Sequence, residues 1–321
     1  MMFVNYGGGG YWFFDHPPWN GITVADLVFP WFVFIMGTSM NYSFKGMFRR
    51  NMPRYKMLFK ILKRSVELFA LGIILNTNWG PWPVDKIRIP GILQRFSLTY
   101  LVVAVMEFCF AKRDDPHKDK KWAVIRDIVL FIPEWLIALG ILAAYICLTF
   151  LLPIGDCPTG YIGPGGLSEN GKYYNCTAGA AAYIDLMVLG NNHIYQHPTP
   201  KGVIGAALCG FSINDGVIPL NKNLWSVSFI LVTASFAFIL LCVLYILIDV
   251  SHIWDGDPFI YPGMNSIVVY CCHSFFYNFF PVGWVMTNPQ HWELLLKAVW
   301  DTAIWVVLSY IMYRKKIFVA L

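Results

Sequence analysis

The sequence predicts an all-α fold, a polytopic transmembrane helix bundle of about seven full spans with partial helices, forming one domain over residues 1–321. Three observations predict it. Hydrophobic residues are 57% of the chain and charged residues only 13%, against roughly 25% charged in an ordinary soluble domain. Apolar stretches long enough to cross about 30 Å of hydrocarbon recur along the chain. The basic residues sit between those stretches instead of lining one face. The same pattern excludes nucleic acid as the reason for the net charge of +5, because a nucleic-acid site needs its Lys and Arg on one soluble face.

The predicted spans are Ile22–Tyr42, Leu58–Asn76, Leu93–Phe110, Ile128–Leu152, Trp225–Asp249, Gly263–Phe280 and Glu293–Tyr313. An eighth block, Val203–Ile213, is Gly-rich and too short to span at 1.5 Å per residue, so it reads as a half-helix or a remnant. Loop charges orient the bundle. Lys45, Arg49, Arg50, Arg54, Lys56, Lys60, Lys63 and Arg64, then Lys112, Arg113, Lys118, Lys120, Lys121 and Arg126, then Arg314, Lys315 and Lys316 are 17 of the 24 basic residues. By the positive-inside rule their segments are cytoplasmic, the C-terminal tail included. The seven spans alternate correctly from an outside N-terminal segment. One further single crossing at Val203–Ile213 breaks that parity, so this block is non-spanning or has lost its partner helix. The apolar stub Met1–Val4 leaves no room for a signal region, which reads as a chain shortened at its start.

The outside loop 153–201 carries Asn175-Cys176-Thr177, an N-glycosylation acceptor that marks Asn175. Cys157 and Cys176 are the cysteines placed outside the spans, and an oxidising lumen favours a disulfide between them. Soluble-enzyme signatures are missing: there is no C-x-x-C, H-E-x-x-H or G-x-S-x-G, and no metal site is expected. Gly166 to Lys172 imitates a phosphate loop, but Tyr173 stands where Ser or Thr would hold magnesium. His252 and Asp257 share the H-x-x-x-x-D spacing of some acyltransferases, within a turn that reads as solvated.

The stretch Asn5-Tyr-Gly-Gly-Gly-Gly10-Tyr-Trp-Phe-Phe-Asp15-His16 gathers glycines, aromatics, an amide and an imidazole beside a span. Glycines allow close approach to a ligand and aromatic faces suit sugars, so a pocket is one reading; an interfacial aromatic belt with a solvated His16 is the other. Histidine exchanges protons near neutral pH. Asp26, one turn into the first span and loosened by Pro30, either orients His16 or acts as an ordinary acid at a helix start. Arg64 and Glu67 are three apart and read as a local pair. Arg95 follows Lys86, Arg88 and Gln94 at a span mouth, a cluster suited to an anionic substrate. Asn265 and His273 share one helix face, as interior hydrogen-bonders or cavity liners. Asp26, Arg88, Arg95, Asn265 and His273 form the candidate substrate-binding set.

The chain resembles the heparan-α-glucosaminide N-acetyltransferases, multipass lysosomal membrane enzymes. The resemblance is carried by Val4-Asn-Tyr-Gly-Gly-Gly, Trp19-Asn-Gly-Ile-Thr-Val-Ala-Asp-Leu-Val-Phe-Pro-Trp-Phe-Val-Phe-Ile-Met-Gly37, Arg88-Ile-Pro-Gly-Ile-Leu-Gln-Arg95, Cys157-Pro-Thr-Gly-Tyr-Ile-Gly-Pro-Gly-Gly166, Tyr195-Gln-His-Pro198, Asn221-Lys-Asn-Leu-Trp-Ser226, Tyr261-Pro-Gly-Met-Asn-Ser266 and Tyr313-Arg-Lys-Lys-Ile-Phe318. It implies transfer of acetyl from cytosolic acetyl-CoA to the amine of a terminal glucosamine of heparan sulfate in the lysosomal lumen. The family's active-site histidine and neighbouring asparagine fall on His16 and Asn5. The imidazole then either deprotonates the glucosamine ammonium or carries the acetyl group itself, and Asn5 donates to the thioester oxyanion. Lys45, Arg49, Arg64 and Arg314 are the charge-matched candidates for the CoA phosphates. The implied partners are heparan sulfate ends, acetyl-CoA, the lipid bilayer and a second copy in a homodimer. The family carries a luminal N-terminal region, a first helix, and a further helix with its loop between about Pro200 and Gly202, so this chain reads as a shortened form. A membrane transporter or an inactive fragment of the acetyltransferase are the competing readings.

Overall fold

The computed structural model describes residues 1–17, 19–76, 89, 91–110, 131–190, 193, 220–222, 224–277 and 290–319. Everything regular among them is helical: α1 (Met2–Asn5), α2 (Val24–Arg49), α3 (Arg54–Asn76), α4 (Ile92–Phe110), α5 (Ile132–Leu151), α6 (Gly179–Leu189), α7 (Val227–Tyr245), α8 (Ile260–Met264), α9 (Ser266–Phe275) and α10 (His291–Arg314). A π-helical turn, Ile246–Val250, prolongs α7. Lys86, Arg88 and the half-helix expected at Val203–Ile213 lie outside the described residues.

Among the described residues five helices are long and apolar enough to cross a membrane: Val24–Arg49, Ile92–Phe110, Ile132–Leu151, Val227–Val250 and His291–Arg314. Two expected spans differ. Helix α3 is long enough, but Lys60, Lys63, Arg64 and Glu67 recur through it and lower its hydropathy. The stretch expected at Gly263–Phe280 is broken where Asn265 leaves the helical region at φ −121° and ψ 32° between α8 and α9, leaving ten residues in α9. The five apolar helices expose large side chains that a soluble fold would bury, among them Leu136, Leu139 and Ile141 on α5 and Phe238, Ile239 and Leu241 on α7. Such faces suit hydrocarbon, not water.

The described residues form two compact units, one of Met1–Phe32, Ala206–Lys222 and Val227–Leu321, the other of Val33–Gly205 and Asn223–Ser226. In the second unit α3 packs along α4. Ser65 and Ser97 let the helices approach: Ser97 Oγ donates to the Ser65 carbonyl at 2.7 Å and Ser65 Oγ to the Ser97 carbonyl at 3.2 Å. Small hydroxyl residues at a crossing satisfy each other where lipid offers no partner. Beside this seam Met40, Phe44, Met57, Ile61, Tyr100 and Ala104 close an apolar core. In this unit Cys157 and Cys176 are joined as a disulfide, and Asn175 is exposed.

In the first unit α10 buries Ala298, Asp301, Trp305 and Ser309, a stripe at three- and four-residue spacing. The N-terminal stretch folds onto α10: Trp305 Nε1 donates to Tyr6 Oη at 2.9 Å and His291 Nδ1 to the Gly9 carbonyl at 3.1 Å. Gly8 and Gly9 make that approach possible. Both have positive φ, 51° and 79°, and a Cβ on Gly9 would stand 2.9 Å from Leu295 Cβ. The glycine run therefore meets a helix, where the sequence suggested a ligand.

Candidate active site

The start of α2 is built by a local motif. Thr23 N–H donates to Asp26 Oδ2 at 3.1 Å, Thr23 Oγ1 lies 3.2 Å from the same oxygen, and Thr23 Oγ1 donates to the Asp15 carbonyl at 2.7 Å. The carboxylate three residues into the helix thus reaches back to the backbone at its start, half of a capping box, and the threonine ties that start to the loop carrying His16. Asp26 is fully buried, so its second oxygen needs strong donors. It has two: His16 Nδ1 at 2.7 Å and Lys222 Nζ at 2.7 Å. The His16 side chain is 55% exposed. His16 Nδ1 thus meets the buried carboxylate while Lys222 Nζ lies within hydrogen-bond distance of both ring nitrogens, 2.8 Å from Nδ1 and 3.2 Å from Nε2.

Asn5 belongs to a second cluster. His273, buried on α9, lies with Nδ1 3.2 Å from the Val269 carbonyl, and Asn5 Nδ2 is 2.8 Å from its Nε2. The ring donates through Nδ1 and accepts at Nε2, so Asn5 uses one N–H on His273 and keeps the other on its exposed side. The two residues expected at the centre of the chemistry are therefore each held by a buried partner. No bond joins them to each other among the described residues.

The remaining expected residues are dispersed. Asn265 is fully buried; its Nδ2 donates to the Ile317 carbonyl and its Oδ1 accepts Val319 N–H, each at 3.1 Å. It anchors the C-terminal segment. In the second unit Arg95 acts electrostatically on Asp185, whose carboxyl burial pushes above the usual range while Arg95 opposes the rise. Lys45, Arg49 and Arg64 belong to that unit and Arg314 to the first. Lys63, not Arg64, pairs with Glu67, at 3.6 Å, while Arg64 lies 4.8 Å from the centre of the Tyr100 ring. A guanidinium over an aromatic face on the neighbouring helix gains a cation–π contact there. Arg314 donates to Tyr310 Oη at 3.1 Å. His252 bonds the Ile248 carbonyl at 3.0 Å and makes no pair with Asp257. No group of three or more metal-ligating side chains occurs among the described residues.

Two residues were missed. Lys222 lies 206 positions from His16 and 196 from Asp26, and no local pattern announces it. The Thr23-x-x-Asp26 spacing, in contrast, is a readable helix-start signal that fixes where the Asp26 carboxylate turns.

A family described as a domain of unknown function (DUF5009) matches residues 10–149. The human heparan-alpha-glucosaminide N-acetyltransferase is 45% identical over 379 residues, covering 99% of this chain and 57% of that protein. The mouse heparan-alpha-glucosaminide N-acetyltransferase is 44% identical over 379 residues, with 99% and 58% covered. The chain thus spans a little under three-fifths of the relatives' length. Since 379 aligned residues face a chain of 321, at least 58 positions of the relative have no counterpart here, the size of a helix with a loop. Over 99% of its length the chain is similar to the heparan-alpha-glucosaminide N-acetyltransferases of human and mouse.

Proposed function

We propose that this chain transfers an acetyl group from cytosolic acetyl-CoA to the amine of a terminal α-glucosamine of heparan sulfate in the lysosomal lumen, from within the bilayer and with its C-terminus cytoplasmic. One observation supports this above others: His16, on an exposed loop, is oriented through Nδ1 by a fully buried carboxylate 2.7 Å away, the arrangement that readies an imidazole for proton transfer.

In this reading His16 Nε2 takes a proton from the sugar ammonium. The freed amine attacks the thioester carbonyl, a C–N bond forms, and the carbonyl electron pair moves to oxygen, where the second N–H of Asn5 stabilises it. Collapse breaks the C–S bond. Of the two protons lost by nitrogen, one leaves on the CoA thiol, delivered from His16, and one passes to water. Asp26 holds the ring and balances the imidazolium while it exists.

The test is the purified full chain in detergent with labelled acetyl-CoA and glucosamine. Wild type is expected to form N-acetylglucosamine, and His16→Ala to lose at least about 10²-fold of that rate, within the usual range for one acid–base group. Uptake of glucosamine into proteoliposomes without acetylation would support a transporter and overturn the proposal.

A further inference from the structure

We infer that Lys222 is a positioning residue for His16: it shares the Asp26 carboxylate oxygen with the imidazole and lies against both ring nitrogens, so it holds the ring in place and sets the charge that the ring meets. This rests on the reading of His16 as the proton acceptor.

The lysine is seated, not draped. Gly21 N–H donates to the Leu220 carbonyl at 2.8 Å, and Asn221, itself 1% exposed, donates from Nδ2 to Asn20 Oδ1 at 3.1 Å. Leu220 is packed with Phe229 and Ile22. These bonds lock Leu220–Lys222 against the loop that leads from His16 into α2. Lys222 Nζ then lies 2.7 Å from Asp26 Oδ1, 2.8 Å from His16 Nδ1 and 3.2 Å from His16 Nε2, while Nδ1 is 2.7 Å from that same Oδ1. Asp26 Oδ1, Lys222 Nζ and His16 Nδ1 form a near-equilateral triangle of charge contacts.

The charges explain the triangle. A buried carboxylate facing a lone imidazole draws a second proton onto the ring, and a protonated ring cannot accept one from a substrate. An ammonium on the same oxygen supplies the balancing charge instead and disfavours a second cation 2.8 Å away. The charged side chains that reach the His16 ring among the described residues are Asp26 and Lys222.

Diethyl pyrocarbonate, which acylates only unprotonated imidazole, tests this without requiring turnover. The purified full chain is treated across pH 5 to 8, and the peptide containing His16 is quantified by mass spectrometry. Lys222→Met, with Lys222→Gln as its backup for folding, is expected to displace the His16 profile upward by about 1 pH unit, and Lys222→Arg to overlay wild type. The acid limb of kcat/KM for acetyl transfer is expected to move by the same amount, a loss of about tenfold on that limb that recovers at alkaline pH. A Lys222→Met or Lys222→Gln profile that overlays wild type overturns the inference. A displaced profile in a chain that acetylates no amine upholds Lys222 and removes the acetyltransferase reading instead.

Discussion

Replacing Asp26 by asparagine separates the charge of the buried carboxylate from its shape. The backbone bond from Thr23 N–H at 3.1 Å survives on the amide oxygen, so the start of α2 is retained. The other arm, 2.7 Å from both His16 Nδ1 and Lys222 Nζ, becomes an NH2 that faces the lysine donor and carries no charge to hold either partner. A hydrogen bond to a charged group is worth about 1.5–3 kcal/mol, so loss of orientation alone slows the reaction by roughly 10- to 150-fold. The assay is acetyl transfer to glucosamine by the solubilised chain, with thermal melting to show that the variant is folded. A folded Asp26→Asn whose kcat lies within about threefold of wild type would refute the argument.

Gly9→Ala is expected to destabilise the first unit by about 1–3 kcal/mol, read as a lower Tm, because a φ of 79° and a Cβ 2.9 Å from Leu295 Cβ leave no room for a side chain. Asp185→Asn is expected to raise the Tm at neutral pH and to converge with wild type near pH 4. The folded carboxyl is pushed up by burial against the opposing Arg95, so its protonated form is favoured on folding, and its contribution is lost as pH rises from 3.8 through the folded value. A Tm difference independent of pH would contradict this. Cys157→Ser opens a loop closed across a separation of 19 residues, which a chain-entropy estimate values at about 3 kcal/mol. Wild type under reducing conditions should then melt where the variant does.

The helices were legible because lipid-sized apolar runs are a one-dimensional signal, and the ends of α4 and α10 fall within two residues of their expected positions. Helix α9 was not, since the break at Asn265 is driven by hydrogen bonds to Ile317 and Val319, more than fifty positions away. The Arg64–Glu67 pairing failed for the same kind of reason: Tyr100 on α4 competes for the guanidinium, and helix spacing alone knows nothing of α4. At the candidate site, His16 and Asp26 were readable as a nearby imidazole and a costly carboxylate beside a span. Their third member and the His273 partner of Asn5 were not, being 206 and 268 positions distant. Periodicity and capping report local geometry, whereas a buried charge finds its counterion across the whole chain.

The most direct measurement of the central claim is acetyl transfer in sided proteoliposomes, with acetyl-CoA on the side of the basic loops and a glucosamine-terminated heparan fragment on the other. N-acetylated ends are expected on the fragment side with wild-type chain, and none above background with His16→Ala. Equal product from the two chains, or none from a wild-type chain that melts cooperatively, would contradict it.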